Sequence, residues 1–274
     1  MSARFDCADP VQRTAGVEAA ITALRNGELA VLPTDTVYGL AADSFSPVAV
    51  AMLFSARGRN RSIPPTVLVG TARAAAALAD DLGAFGQDLI DEFWPGALTL
   101  IFRASPTLLW DLGDSKGTVA LRMPLHSVAL EVLKQTGPLA VSSANRHGHP
   151  PAITVDAAQE QLGESVSVYL DAGPCTENIP STILDLTGTI PKVLRAGAIS
   201  VDRLRTVASV IADNEHYTDT PPVGTPPVGT PPVGTPPVGS PAFGSSAADF
   251  KPAAPHPLEG GPAGPAAGEP PSGT

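Results

Sequence analysis

Residues able to do chemistry gather at the ends of short apolar runs. Residues 33–40 read PTDTVYGL, which places Thr34, Asp35, Thr36 and Tyr38 directly after one such run. Residues 57–61 read RGRNR, three arginines at alternate positions behind a helix-like stretch. The run at 118–124 carries Arg122 near its end, 142–145 reads SSAN, and 195–197 reads RAG. In α/β sheets ligands collect where strand ends meet loops, and arginines there pair with phosphate or carboxylate. Each cluster taken alone has a plainer reading as a turn, a helix cap or a solvated face. Five together favour a pocket for a small anion or a nucleotide.

Other chemistries lack their residues. The chain has no G-x-x-x-x-G-K-[ST], no G-x-S-x-G, no H-E-x-x-H and no C-x-x-C. His147 and His149 form an H-x-H in a loop with no cysteine or acid beside them, which reads as a solvated turn. Cys7 and Cys175 are the two cysteines, too few and too far apart for a disulfide framework or a zinc site. No metal-ligating set is expected.

Positioning the polar clusters requires strands that end together. Val17, Ala20, Ile21 and Leu24 fall at i, i+3, i+4 and i+7, which predicts a helix over 14–28 closed by Asn26 and Gly27. Further helices are expected over 46–56, 73–81, 84–93, 127–135, near 155–162, and over 201–212. Apolar runs at 29–32, 67–69, 97–103, 118–123, 138–143, 167–171, 181–186 and 192–195 read as strands. Strands interleaved with helices imply an α/β protein around a twisted, mixed sheet.

Composition divides the chain. It has 274 residues, 43% of them hydrophobic and 16% charged, enough apolar content for a sizeable core. Of its 30 prolines, 16 lie from Pro221 onward, where PPVGT recurs. One valine per five residues cannot offset the entropy of ordering, so 213–274 is expected to be a disordered tail behind a folded body over 1–212. The tail's expected role is a plain extension, with a docking strip for a proline-recognising partner as the alternative. The formal charge is −10, shared as −5 in the body and −5 in the tail. An acidic body disfavours broad binding to a phosphate backbone, so direct tRNA binding is not expected. The N-terminus carries no apolar signal region and no run is long enough to span a bilayer, which points to a cytoplasmic protein without membrane contact.

The motifs PTDTVYGL, RGR before PTVLV, FWPGALTL, LRMPLH, SSAN, and STILDLTG followed by VLRAGAIS together resemble, in order and spacing, the YrdC-type L-threonylcarbamoyladenylate synthases. The resemblance spans roughly residues 13–205. It implies a single α/β domain with a twisted mixed sheet and a concave ligand-binding face. The implied activity joins L-threonine, bicarbonate and ATP into threonylcarbamoyl-AMP and pyrophosphate, with Mg2+ accompanying ATP. The implied partner is a downstream transferase complex that modifies tRNAs reading codons that start with A.

By the same resemblance, Thr36 contacts threonine and Tyr38 lines the same wall. Arg57 and Arg59 fall on the catalytic basic motif, with Arg59 facing ATP phosphates. Thr118 and Arg195 are implied nucleotide contacts, and Arg122 grips the threonine carboxylate. Ser143 and Ser181 fall beside the threonine, and Asn145 contacts the nucleotide. The sequence departs from the family pattern at five positions. Arg57 stands where lysine is usual, and Asn60 and Ile63 replace proline and a Lys or Asn. Pro151 and Ile153 remove polar groups after SSAN.

No protein nucleophile is needed if the threonine amine captures CO2 or bicarbonate and the new carboxylate attacks the α-phosphorus. Four arginines, Arg57, Arg59, Arg122 and Arg195, would hold the anions together. Two other readings stay open at this stage. One is a double-stranded RNA-binding module, and the other a carbamoyl-transfer domain acting on carbamoyl phosphate.

Overall fold

A computed structural model describes residues 2–175 and 178–212. The expected tail over 213–274, with its PPVGT repeats, lies outside the described residues. Local chemistry sets the helix ends. The Asp9 carboxylate accepts from the amides of Val11 and Gln12, and Pro10 occupies the first turn, so α1 spans Pro10–Arg25. It therefore starts four residues before the expected 14, at a cap that apolar periodicity does not register. Ser46 accepts from the Ala49 amide to start α2, Pro47–Arg57, and Gly58 ends it in the left-handed conformation. Helices α3 (Ala72–Leu78), α4 (Gly83–Phe93), α5 (Ser127–Thr136) and α6 (Val155–Leu162) stand where the pattern expects them. The last helix, α7, spans only Val201–Arg205. The expected continuation to 212 is corrected: the chain leaves the helix so that Ala212 can bridge to Lys192.

Among the described residues, ten strands form one unclosed mixed sheet. They are β1 (Ala3–Asp6), β2 (Ala30–Leu32), β3 (Gly39–Asp43), β4 (Thr66–Leu68), β5 (Leu98–Arg103), β6 (Thr118–Arg122), β7 (Leu139–Ser143), β8 (Val168–Asp171), β9 (Thr182–Asp185) and β10 (Lys192–Arg195). Their order is β1-β8-β2-β3-β7-β4-β6-β5-β9-β10. The pairs β1/β8, β2/β8, β4/β6 and β5/β9 are parallel, and the others antiparallel. Two strands, β1 and β3, have no counterpart in the sequence reading.

Alternation along β2 shows how the layers form. Ala30 and Leu32 face α1 and α5, joining Val17, Ile21, Leu24, Val132 and Leu133. Val31 faces the other way, with Leu40, Leu53, Leu162 and Tyr169 against α2 and α6. A third cluster packs α3, α4 and α7 against β4, β5 and β6 through Val67, Leu89, Phe93, Leu100, Phe102 and Leu121. The three layers clamp the middle strands and fix where their ends point. Among the described residues, no helix is long and apolar enough to cross a membrane.

Candidate functional site

Register brings the polar strand ends together. Gly39 at the start of β3 lies opposite Ser143 at the end of β7. Leu68 of β4 is beside Arg122, and Thr99 of β5 is beside Ile183. The result is a cleft of about 300 Å³. Eight of the ten expected site residues stand on its wall: Thr36, Tyr38, Arg57, Arg59, Arg122, Ser143, Ser181 and Arg195. Thr118 and Asn145 do not.

Arg122 lies at the floor with its side chain 8% exposed. Its Nε donates to the Gly96 carbonyl at 2.9 Å, Nη1 to Thr36 Oγ1 at 3.0 Å, and Nη2 to Asp35 Oδ1 at 2.6 Å. A guanidinium has five N–H groups, so one on each terminal nitrogen is left for a ligand. Burial pushes the Arg122 pKa down, and the Asp35 carboxylate opposes that shift. Asp35 also accepts from the Leu125 amide at 3.0 Å. Arg122 thus meets the cleft beside the Thr36 hydroxyl, with its charge compensated by Asp35, which lies outside the cleft lining.

Arg57 and Arg59 are different. Arg57 is 6% exposed, and no carboxylate among the described residues pairs with it. Its Nε donates to the Asn145 carbonyl at 2.8 Å and Nη2 to Asn145 Oδ1 at 3.3 Å. Burial, then the like charge of Arg59, pushes Arg57 down to about 10, still a cation at neutral pH. Arg59 is half-buried, its Nε buried without a hydrogen-bond partner among the described residues, and burial lowers its pKa too. Two neighbouring cations in a partly dry wall, without an acid between them, form a site that an anion would relieve.

Asn145 serves this wall from behind. It is 4% exposed, and its Nδ2 donates to the carbonyls of Arg146 and His149 at 2.8 and 2.7 Å. It shapes the 145–150 loop and holds Arg57. Thr118 spends its hydroxyl proton on the Ser115 carbonyl at 2.7 Å. The Tyr38 ring is fully buried, its hydroxyl donating to the Gly173 carbonyl at 2.6 Å and accepting from the Ala172 amide. Burial holds that phenol well above its usual pKa, so it stays neutral. Ser143 is half-buried, and its hydroxyl has no partner among the described residues.

On the far strands, Arg195 donates from Nε and Nη2 to the Ser181 carbonyl at 3.0 and 2.8 Å, and from Nη2 to Ser181 Oγ at 3.0 Å. Ser181 Oγ also lies 2.8 Å from Thr99 Oγ1. Gly197 makes this approach feasible: a Cβ there would sit 2.3 Å from the Pro180 carbonyl oxygen. The sequence reading places Thr34 and Asp35 in a polar strand-end cluster without naming a contact for either, and does not single out Thr99. A buried polar residue inside the apolar run ALTLIFR was the available signal for Thr99. Of the departures from the family pattern, Ile63 and Pro151 line the cleft, whereas Asn60 and Ile153 do not.

Among the described residues, no three His, Cys, Asp or Glu side chains gather to hold a metal ion.

Comparison with known proteins gives one answer. The Sua5/YciO/YrdC family model, described as "Telomere recombination", matches residues 22–197. The chain is 52% identical over 212 residues to a putative threonylcarbamoyl-AMP synthase of Mycobacterium tuberculosis, covering 77% of this chain and 98% of that protein. A threonylcarbamoyl-AMP synthase of Pyrococcus abyssi is 31% identical over 189 residues, covering 69% of this chain and 56% of that protein. The crystal structure of P. abyssi Sua5 complexed with L-threonine superposes with a TM-score of 0.73 at 28% identity. That match covers 78% of this chain and 62% of Sua5, so the chain spans less than two-thirds of the archaeal protein's length. Escherichia coli YciO, at 21% identity and a TM-score of 0.66, shares the fold.

Proposed function

The chain belongs to the Sua5/YciO/YrdC family, and from that premise we propose that it is a threonylcarbamoyl-AMP synthase, joining L-threonine, bicarbonate or CO2, and ATP. One observation carries the reading. The cleft wall carries two unlike groups: the carboxylate-free pair Arg57 and Arg59, and Arg122, whose charge Asp35 compensates from outside the cleft lining. The first suits a polyphosphate, and the second suits a zwitterion carrying both a carboxylate and an amine.

The chemistry follows from holding the two together. The threonine amine attacks CO2, forming a C–N bond as a C=O electron pair moves to oxygen and a proton is lost; with bicarbonate the same bond forms as a C–O bond breaks and hydroxide leaves with that proton as water. The new carboxylate oxygen attacks the α-phosphorus, a P–O bond forms, and pyrophosphate leaves with the electron pair of the broken α–β bridge. Arg57 and Arg59 offset the charge that accumulates on the phosphates. Arg122 orients the amino acid through its two remaining N–H groups, with Ser143 and Ser181 beside it. Much of the acceleration then comes from placement of bound partners. Mg2+ on the triphosphate would add further neutralisation, with Arg59 and Arg195 the nearest candidates to share its phosphates. The product is a mixed anhydride, which fits consumption by a downstream transferase acting on tRNA in the cytoplasm.

The test is omission. Pyrophosphate release and formation of the threonylcarbamoyl adenylate, read by mass spectrometry, should each require ATP, threonine and bicarbonate. Release of pyrophosphate from ATP with carbamoyl phosphate, and no need for threonine, would overturn the reading in favour of carbamoyl transfer.

A further inference from the structure

Thr34 lies outside the substrate contacts assigned above, yet every hydrogen-bonding position of its hydroxyl is filled. Thr34 Oγ1 lies 2.6 Å from the Val37 carbonyl oxygen. A carbonyl carries no proton, so the Thr34 proton occupies that line. The same oxygen accepts from the Thr36 amide at 3.2 Å and stands 3.1 Å from Thr36 Oγ1. With its one proton committed to Val37, Thr34 can only accept from the Thr36 hydroxyl. Thr36 Oγ1 in turn accepts from Arg122 Nη1 at 3.0 Å. Donation therefore runs one way, from Arg122 to Thr36 to Thr34 to the Val37 carbonyl.

That direction leaves Thr36 with one open lone pair and no open proton. Thr36 is 2% exposed, so the cleft meets it through a narrow window that suits one small group. Asp35, on the same guanidinium, adds negative charge at this end. We propose that Thr34 is a positioning residue that holds Thr36 as a pure acceptor toward the cleft, so that Thr36 meets the amine of an amino acid and not its carboxylate. The proposal rests on reading this end of the cleft as an amino-acid site.

The test measures binding to the full-length protein by calorimetry. The ligands are L-threonine and 3-hydroxybutanoate of the same handedness, which is threonine without its amine. In Thr34→Val the Thr36 proton loses its acceptor and turns into the cleft, against an incoming N–H. Threonine affinity should fall about tenfold, the scale of one hydrogen bond, while that for 3-hydroxybutanoate changes by less than about twofold. Thr34→Ser should keep the preference of the wild type. In a Thr36→Val background, adding Thr34→Val should change threonine affinity no further. Equal losses for both ligands, or a full loss in the Thr36→Val background, would make Thr34 a merely structural residue and overturn the proposal. Wild-type protein that binds no threonine would instead overturn the functional reading beneath it. Circular dichroism checks folding, and Thr34→Ala replaces the valine variant if that one does not fold.

Discussion

Arg57 shows how one side chain can serve packing and charge at once. Its helix is already capped by Gly58, and the guanidinium reaches across to Asn145. A role in offsetting the dipole of its own helix is therefore not the one its geometry describes. Arg57→Ala should lower turnover and also stability, since the Asn145 carbonyl and Oδ1 lose their donors at about 1–3 kcal/mol for a buried polar group left unpaired. Arg57→Lys keeps the charge and should keep most of the turnover. Turnover and melting temperature measured on both variants decide it, and near-normal turnover in the alanine variant would remove Arg57 from the reaction. The uncompensated pair predicts something further. Pyrophosphate alone should raise the melting temperature, by an amount equivalent to about 2.7 kcal/mol at a hundredfold excess over its Kd. Arg59→Ala should abolish most of that rise, and an unchanged rise would place the anion elsewhere.

Helix α5 begins without a side-chain cap, because His126 holds the N-cap position with φ −147° and ψ 123° but makes no capping bond. Its Nδ1 is buried with no partner among the described residues. Burial holds its pKa below the ordinary imidazole value, Asp35 opposing and Arg13 reinforcing. A folded pKa below the unfolded one means that this contribution to stability is full above about pH 6.5 and is lost as pH falls below it. His126→Asn offers a capping oxygen and no titration. It should stabilise the protein by about 0.5–2 kcal/mol at pH 7.5 and make the loss of stability between pH 7 and 5 shallower. A melting temperature that drops equally with acid in both proteins would show that His126 does not carry the dependence. Elements with a one-sided apolar pattern, such as α1 and α5, were legible in the sequence. Strand β3 was not, because GLAAD is small-residued and lacks β-branched or aromatic side chains, and β1 was not, because it is a largely exposed edge. The overrun of α7 has the same root: Ala208 and Ile211 are buried, as a helix would bury them, but the chain that carries them is pulled toward β10. The site followed the opposite logic. Its arginines and hydroxyls were visible because polar residues at strand ends are conspicuous, whereas Asp35 and Thr99 act through Arg122 and Ser181, partners that only the fold brings near.

At the scale of the whole chain, the question is where the folded unit stops. The described backbone closes on itself at Ala212, whose amide donates to the Pro191 carbonyl at 2.9 Å and whose carbonyl accepts from the Val193 amide at 3.3 Å. Ile211 beside it is 7% exposed and belongs to the core cluster under α4 and α7. The repeats that begin at Pro221 offer one valine or phenylalanine per five residues, too little apolar surface to offset the backbone entropy of ordering at about 1–2 kcal/mol per residue. The repeats over 221–245 carry no charged residue, which gives no electrostatic reason for them to be needed by a cleft built on arginines. Removing residues 221–274 should leave both pyrophosphate formation and the melting temperature nearly unchanged. The measurement is a thermal melt and an ATP-, threonine- and bicarbonate-dependent pyrophosphate assay on the shortened and full chains side by side. A fall of several degrees, or a loss of turnover at saturating substrates, would show that the proline-rich segment takes part in the folded enzyme.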